Sequence, residues 1–105
     1  MKHVTEDRQT NLRIKIYLLT TIMMDAVLEL PTLWNFDQWH YEDVIAVIKR
    51  SQLALEEADT CVDELGVLDG LDESTQAAIE FAQTVCSECR STIDFVRTEL
   101  TLYVN

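Results

Sequence analysis

The sequence predicts an all-α fold, an antiparallel three-helix bundle with long helices at about residues 5–30, 38–65 and 73–104. Two observations carry this. Three apolar series recur with alternating steps of three and four, the period of a single helical stripe. Only two glycines and one proline punctuate 105 residues, too few for an all-β chain that turns every ~8–12 residues. With 48% of residues hydrophobic, the chain has the composition of a packed domain, and residues 1–105 read as one helical unit.

The first series is Leu12, Ile16, Leu19, Met23, Ala26 and Leu30. Ile14, Leu18 and Ile22 form a second strip on the same helix, which should therefore sit against two neighbours. Pro31 biases Leu30 away from helical backbone and is expected to end helix one there. The second series runs Val44, Ile48, Ser51, Leu55, Ala58, Val62 and Leu65, followed by Gly66 where a left-handed cap is wanted. Asn35 or Asp37 suits its N-cap, with Gln38 in capping-box position after Asn35. Asp69 and Gly70 supply a turn, and Asp72 caps the third helix.

Ile79, Ala82, Cys86, Cys89, Ile93, Val96, Leu100 and Tyr103 form the third series. At ~1.5 Å per residue each helix is roughly 35–45 Å long, and short links make sequential helices antiparallel. Phe81, Phe95 and Leu102 fall off this seam. They form a second strip, to be covered either by helix one or by a further partner such as a second copy of the chain.

Nineteen acidic against eight basic residues give a net charge of −11. Such a chain is repelled by nucleic-acid phosphates and anionic lipid and drawn to basic protein surfaces, many of which hold DNA or RNA. No Lys or Arg occurs between Arg50 and Arg90, whereas Glu56, Glu57, Asp59, Asp63 and Glu64 crowd one stretch of helix two. Glu56, Asp59 and Asp63 share a helical face with carboxylates ~5–6 Å apart. The block is either a solvated face or an anionic binding surface. The bundle layout brings Arg8, Arg13 and Lys15 to the same end, where they can neutralise part of it.

A second candidate surface is aromatic. Trp34, Phe36, Trp39 and Tyr41 gather at the junction of helices one and two. They either plug the open end of the bundle or supply interface anchors, as tryptophan and tyrosine often do.

Catalytic and metal motifs fare poorly. Cys86 and Cys89 have Cys-x-x-Cys spacing but fall mid-helix on the core seam, far from the helix N-terminus that would activate a thiol. With Cys61 they read as buried core thiols, and the odd count suits a reducing compartment. Asp37 and His40 show the carboxylate-x-x-His spacing of di-iron bundles, but such a centre needs that motif twice, and the only other histidine is His3. Ser51, Ser74, Ser87 and Ser91 lack a nucleophile elbow or a histidine nearby in sequence. No enzyme, metal or cofactor is expected. The opening residues Met1 to Arg8 lack the apolar core of a secretory signal, and the longest uncharged run, Ile16 to Met24, falls well short of the ~20 apolar residues of a membrane span. A cytoplasmic location is expected, the host's if the protein is viral.

In size and charge the chain resembles the small acidic proteins with which phages block nucleic-acid-binding machinery, anti-CRISPR proteins and DNA mimics among them. That resemblance implies a non-catalytic inhibitor that occupies a basic channel, with Glu56, Glu57, Asp59, Asp63 and Glu64 making the contact. The alternative is a homodimeric helical adaptor or structural protein that binds through Trp34, Phe36 and Trp39 or through Phe81, Phe95 and Leu102.

Overall fold

A computed structural model describes the backbone of residues 2–34, 41–68 and 70–104 and the side chains of 7–30, 42–68 and 70–99. Three helices account for almost all of it: α1 Lys2–Trp34, α2 Tyr41–Gly66 and α3 Glu73–Val104. They form a rod of 56 × 17 × 17 Å. The cross-links give the directions. Arg8 pairs with Glu64 and Arg50 with Glu29, so α2 runs against α1. Gln9 meets Thr75, Tyr17 meets Phe81 and Met23 meets Cys86, so α3 runs alongside α1 in the same sense.

The three predicted seams make the core. Ile16, Leu19, Met23, Ala26 and Leu30 of α1 are buried together with Val44, Ile48, Leu55, Ala58 and Leu65 of α2 and Ala82, Cys86, Cys89, Ile93 and Val96 of α3. Two hydroxyls enter this core at no net loss of hydrogen bonding. Ser51 Oγ donates to the Val47 and Ile48 carbonyls, and Thr20 Oγ1 to the Tyr17 carbonyl. Among the described residues no buried side-chain nitrogen or oxygen lacks a partner, as a stable interior requires.

α1 is the central element. It packs extensively on both α2 and α3, whereas α2 and α3 touch each other much less. The two neighbours expected of helix one are therefore present, but Ile14, Leu18 and Ile22 do not meet them: these side chains are 53, 63 and 37% exposed. Small buried residues on the other helices, Ala54, Ala58 and Cys61 on α2 and Ala78, Ala82 and Cys89 on α3, let both approach one broad face of α1. The opposite face is left outward.

Two helix ends differ from the sequence reading. α1 continues through Pro31 to Trp34, because a proline so near a helix end removes only the hydrogen bond its missing N–H would have made to Val27. Gly66 is the last residue of α2 and is not left-handed. The chain instead leaves through a turn closed by the Leu68 N–H on the Leu65 carbonyl at 3.1 Å, and the left-handed residue is Gly70, with φ 71°. At the start of α3, Asp72 Oδ1 accepts the Thr75 N–H at 2.7 Å, the N-cap foreseen from sequence. Asn35, Asp37, Gln38 and Asp69 lie outside the described residues.

Met23 is fully buried at the α1–α3 contact, with its sulfur 3.8 Å from Cys86 Sγ. Met23→Ala is expected to lower unfolding free energy by about 2–5 kcal/mol in urea titrations followed by circular dichroism. Leu53→Ala, at a site 63% exposed, should change it by less than about 0.5 kcal/mol.

Candidate functional site

The fold divides charge unevenly around the rod. α1 carries four basic and four acidic residues and is neutral, α2 carries two against seven, and α3 two against five. The remaining acidic residues, Asp37, Asp69 and Asp72, belong to the links between helices. All of the net charge therefore lies off α1.

Because α2 and α3 barely meet, a groove runs between them. One stretch of about 360 Å³ is floored by Leu55 and Ile93 and rimmed by Glu56, Asp59, Asp94, Arg90 and Arg97. A neighbouring stretch of about 450 Å³ adds Val62, Asp63, Gln83 and Cys86. Arg90 and Asp59 line both and form an ion pair that straps α2 to α3 across the groove.

The five acidic residues singled out from sequence are split by this arrangement. Glu56, Asp59 and Asp63 stand along the groove. Glu64 instead turns toward α1, where Arg8 pairs with it at 3.4 Å. Glu57 lies on the same side, close enough to Cys61 to act on its thiol alongside Glu64 and Lys15 of α1. Neutralisation by the basic start of α1 thus reaches Glu64, and Arg13 lies 3.6 Å from Asp72. Sequence reasoning did not pair Asp59 with Arg90, 31 residues away, because helical periodicity within one helix says nothing about which face of the next helix lies opposite.

A polar clasp closes this end of the rod. Thr75 Oγ1 donates to Gln9 Oε1 at 3.1 Å, and Gln9 Nε2 donates to the Gly70 carbonyl at 3.4 Å, joining α1, α3 and their link with both side chains buried. Hydrogen bonding from Thr75, whose N–H donates to Oδ1 at 2.7 Å, holds the Asp72 carboxyl below the usual carboxylate range, and Arg13 helps.

The three cysteines are free and buried. Burial pushes all three thiols up, with Ser51 hydrogen bonding partly offsetting this at Cys89. A raised thiol pKa means little thiolate and low nucleophilicity at neutral pH. Among the described residues, no group of three or more His, Cys, Asp or Glu side chains is placed to hold a metal ion. No helix among them is long and apolar enough to cross a membrane.

Phe81 and Phe95 are 42 and 59% exposed. Tyr17 of α1 reaches Phe81, ring centroids 6.4 Å apart and tilted by 41°, so α1 covers that end of the predicted strip only in part. The side chains of Trp34, Phe36, Trp39, Tyr41, His3, His40, Leu100, Leu102 and Tyr103 lie outside those described.

Comparison with known proteins adds no relative. No family model, curated protein or solved structure matches the chain.

Two outcomes follow from the titrating groups. Asp72 has a depressed folded pKa, so its contribution to stability is complete above the unfolded value of ~3.9 and is lost as pH falls through the folded value. The stability difference between wild type and Asp72→Ala, measured by thermal melts, should be constant near neutral pH, narrow below about pH 4 and close in stronger acid. A disulfide-exchange reagent at pH 8 should label the native thiols at least roughly tenfold more slowly than those of the urea-unfolded chain.

Proposed function

We propose that this chain is a non-catalytic protein-binding module that lays its α2–α3 face on the basic, nucleic-acid-binding surface of a partner protein. The observation that carries this reading is the segregation of charge: α1 is neutral, and the acidic excess is concentrated on the two helices that flank the groove. Along the groove itself Glu56, Asp59, Asp63 and Asp94 stand against Arg90 and Arg97, a modest negative excess, and the remaining carboxylates of α2 and α3 surround it with the negative potential that would draw a basic channel.

Glu56 and Asp63 are the central contacts. They bracket Asp59, one helical turn to either side, and Asp94 faces them across the groove from α3. Glu57 and Glu64 lie toward α1 and contribute to the field rather than to contact. Occupation of the channel suffices for inhibition and calls for no chemistry. This is the mode of anti-CRISPR proteins and DNA mimics, and it would place the protein in the cytoplasm where such targets work.

The test is a pull-down from candidate host lysates at low and high salt, followed by competition with a DNA or RNA oligonucleotide for whatever is retained. A nucleic-acid-binding protein held at low salt, shed at high salt and displaced by the oligonucleotide supports the reading. The double variant Glu56→Lys, Asp63→Lys changes four units of charge, each worth up to about 1 kcal/mol at contact in water, and should then weaken capture by between roughly tenfold and a thousandfold. Retention that is indifferent to salt and to the oligonucleotide would sink the idea.

A further inference from the structure

The side of the rod away from the groove has a different chemistry. Ile14, Tyr17, Leu18, Ile22 and Met24 project from the middle of α1, with Phe81 of α3 beside Tyr17, and each is between 37 and 63% exposed. α2 and α3 expose only scattered large apolar side chains, Leu53 on α2 and Phe81 and Phe95 on α3, whereas this stretch of α1 is apolar around most of its circumference. A helix of that kind is ordinarily enclosed on all sides. Side chains of this size carry roughly 150–250 Å² each. At these exposures the six leave on the order of 600 Å² of apolar surface, close to the ~800 Å² per partner of a specific interface.

We infer that a second copy of the chain covers this face, its α1 packed antiparallel on the first α1 about a two-fold axis near Thr20 and Thr21. Three observations select this occupant.

The first is spacing. Ile14, Leu18, Thr21 and Asp25 step by four, three and four along the outer face, the interval of a two-helix seam. Lys15 and Ile22 form one shoulder, Tyr17 and Met24 the other. Thr21 fits such a seam because its hydroxyl already donates to the Tyr17 carbonyl at 2.9 Å, leaving no unmet donor to bury.

The second is the placement of charge along the seam. Lys15 stands at one end of the strip and Asp25 at the other, and neither makes an ion pair among the described residues. In an antiparallel pair each Lys15 lies beside Asp25 of the other copy, twice over. A parallel pair would set lysine on lysine and aspartate on aspartate. The surface is thus self-complementary under a two-fold axis, as an isologous interface must be.

The third is long-range electrostatics. Two copies of net charge −11 repel, but α1 is neutral, and pairing through it turns both acidic α2–α3 faces outward. This inference does not depend on the reading of the acidic face: the two surfaces lie on opposite sides of the rod and can be tested separately.

The experiment is sedimentation equilibrium of the full chain and four variants at concentrations from about 1 to 100 µM, with circular dichroism to establish that each variant is folded. Wild type is expected at about twice 12.1 kDa. Leu18→Glu should give a folded monomer. Lys15→Glu and Asp25→Lys should each raise the dimer dissociation constant roughly tenfold at low salt, and the double variant, which restores opposite charges across the axis, should recover most of that loss. A wild-type monomer throughout the range overturns the proposal, as does a dimer that survives Leu18→Glu. Failure of the charge swap to restore association overturns the antiparallel arrangement.

Discussion

Everything in this fold hangs on the packing of α1 between the other two helices. α2 and α3 make little contact with each other, so removal of the apolar seam Ile16, Leu19, Met23, Ala26 and Leu30 would leave two amphipathic helices without a shared surface. In an ordinary three-helix bundle three interfaces close on one another. Here two strong interfaces converge on one helix and the third is open, and that asymmetry gives the molecule both its groove and its uncovered back.

The same asymmetry sorts the chemistry of the surface. A neutral helix with apolar residues on both faces forms one side, and two helices with a large carboxylate excess form the other. Ion pairs hold the two regions together at their margins. Arg8 with Glu64 and Arg50 with Glu29 fasten α2 to α1, and Arg13 lies by Asp72 where α3 begins. These pairs are largely solvent-exposed, so each adds little to stability; they help to fix which faces meet.

Much of the architecture was legible in the sequence, because periodicity is a local property that burial makes visible. The seam of α3 ran from Ile79 to Val96 as read, and Asp72 capped it. Residues whose role depends on inter-helix geometry were not legible. The strip Ile14, Leu18 and Ile22 signalled a second apolar face correctly, but the spacing could not say that α2 and α3, lined with alanine and cysteine, would crowd together on the first. Gly66 had the sequence context of a left-handed cap, yet the 65–68 turn ends α2 without one, and Gly70 takes the positive φ four residues later. Of the five acidic residues near the end of α2, the period of 3.6 already set Glu56, Asp59 and Asp63 on one face; what it could not say is that this face borders the groove while Glu64 meets Arg8 of α1.

The strap between Asp59 and Arg90 alters what that groove can distinguish. Arg90 is tethered to the same molecule, so it competes for Asp59 at the high effective concentration of an intramolecular ligand. A single lysine arriving from solution gains nothing at this position, since it exchanges one cation for another. Glu56, Asp63 and Asp94 carry no such internal cation among the ion pairs of the described residues, so the carboxylates along the groove are not equivalent. Asp59 is therefore open to an incoming cation only where Arg90 has been displaced from it.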